Sequence, residues 1–264
     1  MVHRTSSQHF LSFSHPSAEE WREYLDEFHR LHPGITEDVL RRTRANGINP
    51  YEWLTDALPK TGAVLDLACG SAPTYGHIGT TWFGLDVSHA ELERALSRGA
   101  SPLLCADASH LPFASGVFDA VVCSMAIMVL QPLASVLFEI RRVLKDDGQA
   151  VFMLPGSLPL NVRDVFRYGH LMIKARRSNL VYPNDHQLRF IFNLFRQSGF
   201  EIVNDRRVRF AFPIPDDSSA QLFADSLYLP WISREHFMKL SEVSKTWVGT
   251  DIGIPLRKMI LRAV

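Results

Sequence analysis

The run Val64-Leu65-Asp66-Leu67-Ala68-Cys69-Gly70-Ser71-Ala72-Pro73 constrains this chain more than any other stretch. An apolar segment that meets an acid and then breaks into very small residues reads as a buried strand entering a tight turn that faces a ligand. Ala68, Gly70 and Ala72 are small enough for the backbone to lie against that ligand. Asp66 can accept hydrogen bonds from a cationic group, and the backbone amides of such a turn favour an anion. An acid and an anion receptor side by side suit the two ends of an amino acid. A dinucleotide fingerprint requires G-x-G-x-x-G, which this stretch lacks. The plainer alternative is a strand and turn that hold no ligand.

With 264 residues, 46% of them hydrophobic, the chain can bury a full core as one domain with appendages. Lysine plus arginine equals aspartate plus glutamate at 28 each, so no global basic field favours nucleic acid as a partner. Cys69, Cys105 and Cys123 form no C-x-x-C pair, and no histidine cluster has zinc spacing. Buried free thiols in a reducing cytoplasm are expected, and no metal. Met1 to His15 has no apolar core, and the longest apolar run, 120–130, is too short to span a bilayer, so neither export nor insertion is expected.

Ahead of the central strand the pattern is helical. Ser17 and Glu20 form a capping box before Trp21, Tyr24, Leu25 and Phe28, and Pro33-Gly34 stops that helix. A second helix follows Thr36, and a third opens at Asn49-Pro50.

Beyond it, strands and helices alternate. Trp82 to Asp86 is a strand ending in an acid, with Ser88 and Glu91 boxing the next helix. Strand 102–106 ends at Asp107, and strand 117–123 ends at Ser124-Met125-Ala126. Helix 133–144, the turn Lys145-Asp146-Asp147-Gly148 and strand 149–154 complete the run, which implies parallel strands with right-handed crossovers. Ligands of such sheets bind outside the carboxyl ends of the strands. There Asp86 is placed for ribose hydroxyls and Asp107 for an exocyclic amine such as adenine's, with Leu111 and Met125 flanking a flat ring. Taken alone, Asp86 reads equally well as a helix cap.

Together Asp66, Gly70, Asp86, Asp107, the Phe118-Asp119-Ala120-Val121-Val122 strand and Ile140-Arg141-Arg142-Val143-Leu144 resemble the class I S-adenosylmethionine-dependent methyltransferases over residues 60–155. The resemblance implies a Rossmann-like, seven-stranded, mostly parallel α/β sheet with an antiparallel last strand, helices on both faces and an N-terminal helical lid. It implies S-adenosylmethionine as cofactor, held by Asp66, Ala68, Gly70, Ser71, Ala72, Asp86, Val87, Asp107, Ala108, Ser124 and Met125, with Asp66 supporting the turn. Ala68 and Ala72 stand where the family has glycines, which excludes strongly left-handed backbone there, and Pro73 gives up an amide donor.

Because an acceptor must approach the strand-end crevice from above, residues 1–60, with the helix of 161–177, are expected to form a lid over the core of 61–264. By the same resemblance, helix 187–198, strand 199–210 and strand 256–262 complete the sheet, and segments 156–183 and 213–250 are insertions. On the helix of 161–177, Val162, Val165, Phe166, Met172 and Ile173 recur at helical spacing beside Arg163, Arg167, His170, Lys174 and Arg177. That cationic stripe is a solvated face or a contact for a membrane or a carrier protein. Tyr24, Phe28 and Phe166 are expected to line a lid over the methyl group.

No Asn-Pro-Pro-Tyr follows the fourth strand; Ser124-Met125-Ala126 stands there instead. The expected activity is methyl transfer to oxygen, nitrogen or carbon of a small organic acceptor, of secondary-metabolite or lipophilic type. A methyltransferase of RNA bases, a non-methylating enzyme that keeps the pocket, and a binding module are the alternatives. His29, His170, Tyr182 and His186 are the candidate proton acceptors, with no choice among them.

Overall fold

The computed structural model describes residues 16–264. The Met1 to His15 segment, and with it the start of the expected lid, lies outside the described residues. Three helices precede the sheet: α1 (Ala18–Leu31), α2 (Ile35–Leu40) and α3 (Pro50–Thr55). The expected capping box at the start of α1 forms, with the Glu20 amide donating to Ser17 Oγ at 3.2 Å, and Asn49 caps α3 in a second box, taking the Tyr51 and Glu52 amides on Oδ1 at 2.8 and 2.9 Å.

The chain then alternates through β1 (Ala63–Leu67), β2 (Thr81–Asp86), α4 (His89–Ser97), β3 (Leu103–Cys105), β4 (Phe118–Ser124), α5 (Leu133–Val143) and β5 (Leu144–Pro155). After α6 (Val162–Ala175), α7 (Asp185–Leu188) and α8 (Ile191–Gln197) come β6 (Phe200–Ile214), α9 (Asp217–Asp225), α10 (Arg234–Lys245) and β7 (Thr250–Ala263). The seven strands form one sheet in the order β3-β2-β1-β4-β5-β7-β6, with β7 antiparallel to both its neighbours.

Alternate residues of the central strands feed opposite faces. Leu65, Leu67, Val121, Cys123 and Phe152 pack with α5 and α8, while Val64, Ala120, Val122, Val151 and Met153 pack with Tyr51 and Leu54 of α3. Parallel register brings the ends of four strands to one edge, since Leu67 lies beside Leu85, Asp86 beside Cys105 and Asp66 beside Val122. Everything placed after those strands by the sequence therefore gathers there.

Some expected boundaries move. Strand β5 begins at Leu144, because the chain leaves α5 directly into extended backbone through Lys145–Gly148, and its pairing with β4 shifts register between Phe118 and Ala120. The expected helix 187–198 is two short helices. Strands β6 and β7 extend beyond their expected ends and stay paired from Phe200–Ala263 out to Ile214–Thr250. Their distal apolar residues, Phe212, Ile214 and Ile252, enter a second core with α6, α9 and α10. The two expected insertions thus pack on each other.

Asp164 of α6 ties that second core to the sheet, accepting from the Gly253 amide at 2.9 Å and from Arg209 Nε at 2.5 Å. Burial works to raise its pKa, but Arg209 and the backbone donors outweigh it and hold the carboxyl below its ordinary value. A side chain at Gly253 would place its Cβ 2.4 Å from Asp164 Oδ2, so only glycine fits. Among the described residues no helix is long and apolar enough to cross a membrane, and no cluster of His, Cys, Asp or Glu could hold a metal.

Candidate active site

A cavity of about 490 Å³ opens at the carboxyl edge of β1, β2, β3 and β4. Its floor begins where β1 breaks. Ala68, Gly70 and Ala72 have φ values of 53°, 54° and 56°, so all three are left-handed, against the expectation that alanine excludes this conformation. A left-handed alanine costs roughly 1–2 kcal/mol, a cost that surrounding bonds can offset. Here the Cys69 amide donates to Leu85 O at 3.0 Å, the Gly70 amide to Asp86 Oδ2 at 2.8 Å, and the Ala72 amide to Cys69 O at 2.9 Å. The resulting small, concave turn is of the kind that receives anions.

The strand-end acids hold this turn as well as face the cavity. Asp86 accepts from the Gly70 amide through Oδ2 and from the Ser88 amide, at 2.9 Å, through Oδ1, which leaves each oxygen a further lone pair. Burial raises its pKa, although both amides draw it back. Asp66 is buried, takes the Thr74 hydroxyl on Oδ2, and has no partner on Oδ1. Burial pushes its carboxyl up to about 7. Asp107 accepts from the Ser109 amide and hydroxyl at 2.7 and 2.8 Å through Oδ1, while Oδ2 takes no protein hydrogen bond among the described residues.

Of the residues expected to hold a cofactor, Asp66, Ala68, Gly70, Ser71, Asp86, Val87, Asp107, Ala108, Ser124 and Met125 line the cavity. Ala72 does not; it is buried with Trp82 and Leu92 behind the turn. The Ser71 hydroxyl is committed to buried Glu37, and Val87 sits at the rim with 68% of its surface exposed.

The roof comes from elsewhere. Leu25, Asp26 and His29 of α1, then Thr36, Glu37 and Tyr51, and Tyr228 between α9 and α10, close the cavity. Glu91, expected to box Ser88, turns away from that cap. Its Oε1 and Oε2 each lie 2.9 Å from the Gly34 amide, and Oε1 also lies 2.9 Å from His29 Nδ1. Tyr228 Oη lies 3.2 Å from His29 Nε2. Neither the Glu91 role nor the Glu37 role has a local signal, because each bridges elements distant in sequence.

The expected lid also differs. Tyr24 and Phe28 pack behind the cavity wall with Tyr228, while Phe166 is 74% exposed and no residue of 156–183 reaches the cavity. Of the candidate proton acceptors only His29 faces it. Cys105, expected to be buried, is exposed.

A small-residue left-handed turn, a buried acid beneath it and acids after the next two strands fit the carboxylate, the cationic part and the adenosine of an S-adenosyl amino acid. Fold and site together define a nucleoside-binding α/β protein of the methyltransferase class. A family model described as a methyltransferase domain matches residues 65–152. The ubiquinone/menaquinone biosynthesis C-methyltransferase of Desulfotalea psychrophila is 32% identical over 174 residues, which cover 56% of this chain and 70% of that protein. The malonyl-acyl-carrier-protein O-methyltransferase of Geobacter sulfurreducens is 35% identical over 136 residues, 50% of this chain and 49% of that one. A biotin biosynthesis bifunctional protein of Saccharophagus degradans is 29% identical over 170 residues, 59% of this chain but only 29% of its own length. The chain therefore spans about half or less of two of these three relatives.

Among solved structures, a 4+2 cyclase, SpnF, shares the fold with a TM-score of 0.58 at 16% identity, over 90% of this chain and 94% of that one. The chain belongs to the class I S-adenosylmethionine-dependent methyltransferase family, whose cofactor is S-adenosylmethionine.

Proposed function

We propose that the protein moves a methyl group from S-adenosylmethionine to oxygen, nitrogen or carbon of a small, lipophilic organic acceptor. The observation that carries this reading is a cavity with acids on its floor, apolar contact from Leu25, Val129 and Leu130, and a mixed roof in which His29 is held by a hydrogen bond to Glu91. The cofactor supplies an already activated sulfonium methyl, so the task of the chain is alignment and exclusion of water.

Asp86 receives the ribose hydroxyls and the free oxygen of Asp107 the adenine amine. The turn of residues 68–72 receives the carboxylate, with Asp66 beneath it. Leu25, Val129 and Leu130 give the acceptor apolar contact and keep water from it. Because a carboxylate can only accept, Glu91 keeps the proton of His29 on Nδ1 and leaves Nε2 as the base. A hydroxyl or amine acceptor that displaces Tyr228 from Nε2 delivers its proton there as the new bond to carbon forms. Burial pushes the Tyr228 hydroxyl well above its ordinary value, so Tyr228 stays a neutral phenol and does not compete as the base. We place the protein in the cytoplasm, since Cys105 is an exposed free thiol suited to a reducing compartment.

The test is incubation with S-adenosylmethionine and a panel of quinols, acyl acids, amines and phenols. S-adenosylhomocysteine and an acceptor heavier by one CH2 are the expected products. Cofactor binding with no S-adenosylhomocysteine from any member of the panel overturns the reading in favour of a non-methylating enzyme or a binding module.

A further inference from the structure

We propose that α6 docks the protein onto an anionic lipid bilayer surface. This helix has three faces. Asp164, Leu171, Met172 and Ala175 are buried and hold it to α10 and β7. Val162, Phe166 and Ile173, at i, i+4 and i+11, form a second, solvent-facing stripe, with exposures of 74%, 74% and 72%. Val165 beside it and Leu158 just before the helix are also more than half exposed. Elsewhere large apolar side chains are exposed singly or in pairs, which is ordinary; a row along one helix is not.

The third face is basic. Arg163, His170 and Lys174 flank the apolar stripe, and none of them has a hydrogen-bond or ion-pair partner among the described residues. Arg167 is held by Thr250 Oγ1 at 2.8 Å and lies over Trp247, and Arg177 donates to Pro230 O at 2.6 Å. The one acid of the helix, Asp164, is buried against Arg209. An exposed apolar stripe beside unpaired cations is the pattern that lies in the headgroup layer of an anionic membrane.

A second copy of the chain is a poorer occupant. One short helix presents less than the roughly 800 Å² per partner that a stable dimer buries, and a two-fold pairing of this helix with itself sets its basic flank against another basic flank. A membrane meets both faces at once. The Arg177 contact also sets the helix end beside Trp231, which is 52% exposed and packs edge-on against Trp21 of α1 at 5.6 Å between ring centroids. The docked side therefore adjoins the helix that roofs the cavity. Bilayer binding stands independently of whichever acceptor is methylated.

The experiment is co-sedimentation of the full chain with vesicles of phosphatidylcholine alone or with added phosphatidylglycerol. Two variants are compared, Phe166→Asp with Ile173→Asp and Arg163→Glu with Lys174→Glu. None of the four lines the cavity, Arg163, Phe166 and Ile173 are exposed and Lys174 is half-buried, and melting temperature and S-adenosylhomocysteine affinity serve as controls for folding. The parent should bind the anionic vesicles, more weakly as salt rises, and each variant should lose about tenfold or more in partitioning. No binding to anionic vesicles, or binding undiminished in the apolar variant, overturns the proposal. So does a dimer that the apolar variant abolishes, or saturable binding of an acyl carrier protein with no vesicle binding.

Discussion

Asp66 carries a cost in the ligand-free protein that a cationic ligand in the proposed complex would remove. Withdrawal from water outweighs the Thr74 hydroxyl on one oxygen and the Trp82 indole nearby, and the carboxyl rises to about 7. The folded state then binds this proton more tightly than the unfolded chain, whose aspartate titrates near ~3.9. The stabilisation is complete below that value and is lost as pH climbs through about 7, a change on the order of a few kcal/mol. Asp66→Asn should flatten that slope: melts at pH 5 and pH 8 should fall further apart for the parent than for the variant. A cationic ligand favours the ionised carboxylate, so affinity for S-adenosylmethionine should rise with pH through neutrality in the parent and not in the variant. Parallel pH profiles in calorimetry would show that Asp66 does not titrate in this range. The position of this acid was legible because it ends an apolar run. Its isolation was not, since the Thr74 contact and the depth of burial depend on how the turn folds back.

At the scale of the element, the turn after β1 shows where residue preference yields to its surroundings. Alanine at 68 and 72 argued against left-handed backbone, yet the turn must carry the Cys69 amide to Leu85 O, the Gly70 amide to Asp86 and the Ala72 amide back to Cys69 O, and φ lies near 55° at 68, 70 and 72. Relief of a left-handed alanine is worth roughly 1–2 kcal/mol, while glycine costs about 0.5–1 kcal/mol through the freedom of the unfolded chain. Ala68→Gly should therefore raise stability by up to about 1 kcal/mol in urea unfolding. At Ala72 the methyl is buried with Trp82 and Leu92, and its loss, about 0.8 kcal/mol, offsets the gain, so Ala72→Gly should be neutral or slightly destabilising. Equal destabilisation by both would mean that neither alanine is strained. Elsewhere the elements were legible wherever a local device marks them, as with Ser17 and Asn49 at helix starts. They were misplaced where pairing decides: the ends of β6 and β7 run past their expected limits because each strand gives the other its backbone partners, and α6 left the expected lid because its buried face fits α10 and β7.

At the scale of the whole molecule, the sheet and its carboxyl edge followed from the alternation of strands and helices, but the roof did not, because His29, Glu91 and Tyr228 come from three separated segments. That roof is lightly fastened. Of α1, only Trp21 and Phe28 are buried, and its polar ties are few: His29 to Glu91 and to Tyr228, and the Leu229 amide donating to Tyr24 Oη. An element with so few buried groups opens at a small fraction of the global unfolding free energy. The cofactor lies between this helix and the strand-end acids in the proposed complex, so α1 must part from at least one of its contacts for the ligand to leave. Saturation at about one hundred times Kd adds roughly 2.7 kcal/mol to any opening that releases ligand, which slows exchange about a hundredfold. Hydrogen exchange should therefore show amides of residues 20–31 exchanging early in the free protein and slowing by up to that factor with S-adenosylhomocysteine, while amides of β4, buried on both faces, remain among the slowest in either state. If α1 exchanges as slowly as β4 without ligand, it is a fixed part of the core. If its exchange is unchanged at saturation, the cofactor leaves without α1 opening, and the helix shields only the acceptor.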